Sequence, residues 1–340
     1  MSHLLALKNR IKSVHATHTM TSAMKLVSLA RLKRQQTLFY QTTAYCWEMN
    51  RMMRRLTRYI TQHKEMHLPL EIAGHSTEHH YILGVITSDE GFSSSALNNV
   101  IKKTKQVIEY LQANQKKVSL FCLGTKGSEI LKKTFPDIPL HTFKKKEFSN
   151  QNIYEMGERF ACDLMEQFDN QTFDVCLLIY NHFDSLIHQQ ATIEQVIPVH
   201  FFTHQNPWDF LLEKESVYKK ENKLGQSHLT LKNTLFLKVL KDSVAPLAPL
   251  TPEDLGVGIR SLDLYDYEPS APELLNTQLP AYLSAFLTRI LIESSISDNA
   301  SRLLEMDNAT KNAEEILTQL KTQYRHIRQE KITDEIIGKR

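Results

Sequence analysis

The strongest constraint on this chain lies at its two ends. Residues 1–68 contain neither glycine nor proline, and the same holds for 281–337. Both stretches therefore lack helix breakers and are filled with residues that form helices well. The C-terminal stretch, read as one helix, would reach about 85 Å at 1.5 Å per residue. Near the N-terminus apolar residues recur at Leu4, Leu7, Ile11 and Val14, then at Met20, Met24 and Val27. Steps of three and four are those of a coiled-coil seam, here with a skip of phase between Val14 and Met20. One long helix is expected, with at most one break in its second half. At the other end Ala313, Leu317, Leu320, Tyr324 and Ile327 form a second narrow seam. A long helix with a narrow stripe needs a partner to cover it. Pairing the two ends buries both stripes, and a compact segment inserted between them makes the pairing antiparallel.

The middle of the chain changes period. The runs "YILGVIT" (81–87), "VSLFCLG" (118–124), "DVCLLIY" (174–180) and "IEQVIPVHFF" (193–202) have strand length. Helical stretches at 96–115, 126–134 and 151–169 lie between them. That alternation predicts an α/β layer with a largely parallel sheet. The expected fold is α/β (α+β overall): a long antiparallel coiled coil of the N- and C-terminal helices with an inserted Rossmann-like α/β domain. The boundaries read as 1–68 for the first helix, 69–202 for the α/β domain, 203–264 for an insertion and 265–340 for the last helix. In the insertion "NPWDF", "NKLGQ" and "APLAPLTPEDLGVG" break every periodicity. The chain has no internal repeat and no low-complexity tract.

Charge is unevenly spread. The formal net charge is only +3 over 340 residues. Residues 1–68 carry twelve Lys and Arg against Glu48 and Glu65, whereas 281–340 carries nine of each sign. Such a basic helix can attract phosphate, so a nucleic-acid-binding protein is the alternative from another class. It lacks the helix-turn-helix, zinc or RNA-recognition signature that would support it. The first 47 residues hold no Asp or Glu, in the manner of a transit peptide. The four cysteines have no CxxC spacing and read as reduced thiols. No apolar run approaches the roughly 20 residues that span a bilayer.

The remaining motifs argue against chemistry. "SDEGFSSS" (88–95) follows a strand but has neither GxGxxG nor GxxxxGK[ST], so it reads as a turn with Ser93 or Ser94 capping the next helix. "GTKG" (124–127) is a tight turn carrying a lysine. His15 with His18, and His79 with His80, lack the further ligands a metal needs. Asp89 and Glu90 are neighbours on a turn and need not share a pocket, and "EMNRMMRRL" (48–56) reads as helix packing. The sequence offers no catalytic, cofactor-binding or metal-binding residue.

Taken with these features, "LKNRIKSVHATHTMTSAMKLVSLARLKRQQ" (7–36) and "ESSISDNASRLLEMDNATKNAEEILTQLKTQYRHIRQEKITDEII" (293–337) resemble the two signature ends of the γ subunit of F-type ATP synthases. "EPSAPELLNTQLPAYL" (268–283), "LGTKG" (123–127) and "IYNHF" (179–183) extend the resemblance over nearly the whole chain except 203–264. It implies a non-catalytic rotor in the central stalk. The terminal helices would form a shaft inside a hexamer of α and β subunits. The α/β domain would sit as a foot on the membrane c-ring, beside ε. A divergent γ-like paralogue of a variant F-type ATPase is the second alternative. The resemblance implies subunit contacts at Met24, Arg31, Arg34, Arg302, Arg328, Gln329 and Thr333. Because the match begins near residue 4, the acid-poor start is expected to be shaft, which places the protein on the cytoplasmic face of a bacterial inner membrane, peripheral to it. A shaft also explains the polar stretch 306–333, since one seam is buried while the other face slides past changing neighbours.

The chain departs from the family pattern in the turn "TSDEGFSSSALNN" (87–99), where a Gly-rich "DRGLCGG"-like sequence is usual. Glu90 stands for an Arg, and Ser93, Ser94 and Ser95 stand for Cys-Gly-Gly. The excursion 203–264 is longer than the usual connection, and the end "IIGKR" is short and basic.

Overall fold

The computed structural model describes residues 2–63, 65–75, 78–88, 91, 93–143, 153–199 and 266–338. The expectations for 203–264, and for Asp89 and Glu90, lie outside the described residues. In chain order the elements are α1 (Ser2–Gln62), α2 (Leu70–Ala73), β1 (His80–Ile86), α3 (Ser94–Ala113), β2 (Lys117–Leu123), α4 (Thr125–Thr134), β3 (Leu140–Phe143), α5 (Ile153–Asp169), β4 (Val175–Phe183), β5 (Gln189–Ile197) and α6 (Ala271–Ile337).

The five strands form one sheet in the order β3-β2-β1-β4-β5. β1 pairs in parallel with β2 and β4, β2 pairs in parallel with β3, and β5 runs antiparallel to β4 at the edge. Side chains alternate across a strand, so each face has its own core. Tyr81, Leu83 and Val85 join Leu120, Cys122, Leu177 and Ile179 beneath α3 and α4. Ile82, Ile86, Phe121, Cys176 and Leu178 face the other way, against α5 and the lower parts of α1 and α6. Glycine at position 84 is a packing requirement, since a Cβ there would stand 2.2 Å from Phe121 and 2.3 Å from Leu178.

α1 is unbroken over 61 residues, and α6 spans 67. They run antiparallel, as Thr21 Oγ1 against Thr310 Oγ1 at 2.9 Å and Lys25 Nζ against Asp307 Oδ1 at 2.6 Å establish. On α6 the expected seam residues Ala313, Leu317 and Leu320 are buried. On α1 the phase differs from the one the apolar residues suggested. Met20 and Val27 are 60% and 51% exposed, while Thr21, Ser28 and Leu32 are buried. The inward face runs Leu4, Leu7, Ile11, Val14, His18, Thr21, Lys25, Ser28, Leu32 in unbroken steps of three and four. The heptad therefore never skips. Its middle is polar, and polar residues of α6 meet it, which is what makes burial of hydroxyls tolerable there.

Two further differences concern boundaries. α6 starts at Ala271 and carries Pro280 inside it. Proline lacks the N–H that would bond Asn276, but Asn276 is exposed and water can cover that carbonyl. β3 is the other, a four-residue edge strand with too little sequence to show alternation.

Candidate functional site

The family-like motifs converge where the foot meets the shaft. Gly124 has φ +112°, and Cβ atoms at Gly124 or Gly127 would collide with Thr87, so "LGTKG" closes its turn directly on the end of β1. Thr87 Oγ1 donates to the Leu123 carbonyl at 3.0 Å, fixing the same junction. In "IYNHF" alternate residues serve opposite faces. Asn181 is buried and its Nδ2 donates to the Ala96 carbonyl at 2.8 Å, holding the first turn of α3.

Tyr180 and His182 reach the other way, toward α6. Tyr180 Oη donates to Glu194 at 2.7 Å, and Arg289 lies 3.5 Å from Glu194 and 3.3 Å from Glu293. Glu293 is almost fully buried and is met there by its partners Arg289 and His182. The hydrogen bond to Glu293 holds the His182 pKa above its ordinary value against the opposing effect of burial. Asp184 adds to this from 3.2 Å. The edge hairpin of β4 and β5 is thus clamped onto α6 by charge.

At the end of β1 the turn toward α3 is held by α6 as well. Arg302 is buried; its guanidinium donates to the Gly91 carbonyl at 3.2 Å, to Asn299 Oδ1 at 2.9 Å and to Ser88 Oγ at 3.3 Å. Glu305 Oε1 accepts from Ser94 Oγ at 3.0 Å and from the Ser95 N–H at 3.2 Å. Ser93 is the N-cap of α3, but neither its hydroxyl nor that of Ser94 caps the helix. The carboxylate of Glu305 does so from another element.

On either side of this junction, the seam carries a line of polar matches. Gln35 Nε2 donates to Ser295 Oγ at 2.6 Å and Asn299 Nδ2 donates to Gln35 Oε1 at 2.8 Å. Asp307 accepts from Lys25 and Lys311 at 2.6 Å each. Burial alone would raise the Asp307 pKa, but the two lysine bonds outweigh it and hold the pKa below its ordinary value.

Of the residues expected from sequence, the junction brings in Arg302. Met24 is half-buried on α1, with Arg31 and Arg34 exposed about two and about three turns further on. Arg328, Gln329 and Thr333 are exposed on α6. The register set by Thr21 and Thr310 brings Ser2 roughly opposite Gln329, so the last residues of α6 run past the described start of α1. Glu305, Glu293, His182 and Glu194 were not singled out in the sequence. Only spacing could have found the first, since Arg302 and Glu305 are three apart on a helix and share a face.

Among the described residues no group of three or more His, Cys, Asp or Glu could hold a metal, and no helix is long and apolar enough to cross a membrane. A sheet domain clamped at several points onto a hairpin of its own terminal helices defines a stalk protein, a rod rooted in a compact base. A family model described as ATP synthase matches residues 3–338. The ATP synthase gamma chain of Paracoccus denitrificans is 30% identical over 337 residues, covering 99% of this chain and 97% of the relative. That of Rhodospirillum rubrum is 29% identical with the same coverage. The chain belongs to the ATP synthase gamma chain family. In fold it is similar to a chain of the central stalk and c-ring of the Tetrahymena thermophila mitochondrial ATP synthase, with a TM-score of 0.54 at 20% identity over 85% of this chain and 99% of that one. A rotor chain of the Euglena gracilis mitochondrial ATP synthase gives 0.51 at 16% identity, over 97% and 99%.

Proposed function

We propose that this chain is the central-stalk rotor of an F-type, proton-translocating ATP synthase. It couples rotation of the membrane c-ring to conformational change in the catalytic α/β hexamer. The observation that carries the reading is the full-length family match on a chain whose ends pair into one hairpin. The part played by the chain is mechanical and non-catalytic. Residues 1–68 and 265–340 supply the shaft, and 69–202 supply the foot, which rests on the c-ring beside ε. The complex sits at the cytoplasmic face of a bacterial inner membrane, a placement supported by the bacterial gamma chains it is similar to. The nucleic-acid alternative is not favoured, because the basic helix uses Lys25 inside the seam and matches gamma chains along its length.

Met24, Arg31, Arg34, Arg328, Gln329 and Thr333 are the contacts with the hexamer. The last three lie on the upper end of α6, where Arg328 and Gln329 are exposed and α1 is running out. Arg302 is sealed from solvent and has a different part, taken up below. Arg328→Ala or Gln329→Ala in a reconstituted complex should lower ATP-driven proton pumping by about threefold to tenfold, as loss of a charged or polar contact of about 1 kcal/mol implies. Normal hydrolysis and pumping in both variants would refute this assignment of contacts.

A further inference from the structure

In an open α/β sheet the ligand crevice lies beyond the carboxyl ends of the strands, where the strand order reverses. Here that point falls between β1 and β4, and α3 begins beside it. The N-terminus of a helix in this position attracts an anion, because its first N–H groups lack partners. In this chain the anion is internal, since Glu305 of α6 takes the Ser95 N–H and the Ser94 hydroxyl. One helical step away, Arg302 takes the Gly91 carbonyl and the Ser88 hydroxyl.

The two residues are complementary in sense. The cation meets oxygen acceptors in the turn, and the anion meets donors at the start of α3, so exchanging the two would set like against like. Both are on one face of α6, three residues apart, and both grip the same short segment of the foot. We infer that Arg302 and Glu305 form a two-point latch that makes the foot turn with the shaft, with the Ser94 hydroxyl as one of its donors. Asn181 supports the latch from below by holding the Ala96 carbonyl of the same turn of α3. The two residues are positioning residues, and their role in transmission rests on the rotor reading above.

The first test uses the full chain alone and follows amide hydrogen exchange. Glu305→Ala should speed exchange at the Ser95 amide about tenfold, and Ser94→Gly about threefold, as loss of charge-assisted and single hydrogen bonds would. Glu305→Gln keeps an acceptor oxygen and should fall between wild type and Glu305→Ala. Unchanged exchange in Glu305→Ala overturns the latch, and should that variant fail to fold, unchanged exchange in Ser94→Gly does so. The second test reconstitutes the chain with α, β, ε and the membrane ring and measures protons moved per ATP hydrolysed. That ratio should fall by about half in Glu305→Ala and recover in Glu305→Gln. Faster exchange with an unchanged ratio overturns the role in transmission. Failure of the wild-type chain to assemble would instead overturn the rotor reading, and the exchange result would still report on the latch.

Discussion

Lys25 and Asp307 are the sharpest place to probe the shaft, because the apolar pattern of α1 would put Lys25 outside the seam and the structure puts it inside. At roughly 3 Å two opposite unit charges attract by about 1.4 kcal/mol in bulk water and by about 5.5 kcal/mol at an effective dielectric near 20. The side chains of Lys25 and Asp307 are 27% and 25% exposed, so the pair lies between these limits. Ordering a lysine costs up to about 2 kcal/mol, which leaves a net coupling of about 1–2 kcal/mol. That exceeds the 0.2–1 kcal/mol or so of surface pairs and falls short of the roughly 3–5 kcal/mol lost on breaking a fully buried one. Lys311 also bonds Asp307 but is nearly half exposed, and the cycle separates its part from that of Lys25. A double-mutant cycle of Lys25→Met and Asp307→Asn, read by urea unfolding of the full chain at pH 7, should return this coupling. Because the folded pKa of Asp307 is depressed, its stabilisation is complete above the unfolded value near 3.9. It is lost as pH falls through the lower folded value. The coupling should therefore shrink toward pH 3. A coupling under about 0.3 kcal/mol at pH 7, or one equally large in acid, would refute the placement of this pair in the seam.

Other residues give independent tests. Leu32→Ala should cost about 2–5 kcal/mol by emptying a buried site, whereas Val27→Ala should stay within about 0.5 kcal/mol; comparable losses in urea would restore the alternative phase. A Cβ at Gly157 would meet Thr288 Oγ1 at 2.0 Å and the Ser284 carbonyl at 3.0 Å, so Gly157→Val should destabilise the packing of α5 on α6 by about 2 kcal/mol; a neutral effect on the thermal midpoint would contradict that approach. His182→Gln tests the clamp between β4 and α6. The folded pKa of His182 is raised, so its contribution is full below the unfolded value near 6.5 and disappears as pH rises through the folded one. The gap in melting temperature between wild type and variant should be widest below about pH 6.5 and close as pH rises through the raised folded value, and a constant gap would speak against the ion pair.

Much of this architecture could be read from the chain because its signals are long. Two stretches free of Gly and Pro gave the shaft, and apolar runs broken by helical ones gave the sheet. The phase of α1 is not legible from hydrophobicity alone, because the inward positions of this region are His18, Thr21, Lys25 and Ser28. Only the partner helix shows why such residues face inward, and a single helix carries no record of its partner's donors and acceptors. β3 is not legible because Leu140–Phe143 is too short to display a period, and the start of α6 is not because Pro280 reads as a boundary. Glu305 is silent in the sequence for another reason: a carboxylate capping a helix some two hundred residues away leaves no local pattern. The serines of the turn read as lost glycines in the sequence, whereas the Ser94 hydroxyl contributes a donor.

The polar matches along the helix pair also decide where it stops. A slip of seven residues would preserve the three-and-four spacing of both helices. In one direction it would set Asp307 against Leu32, and in the other Lys25 against Ala300, by the alignment the Lys25 and Asp307 contact defines. Each slip would move the free end by about 10 Å along the axis. One hydrophilic contact near the waist thereby works as a dowel, giving the assembled hairpin a single length and a single height for its tip.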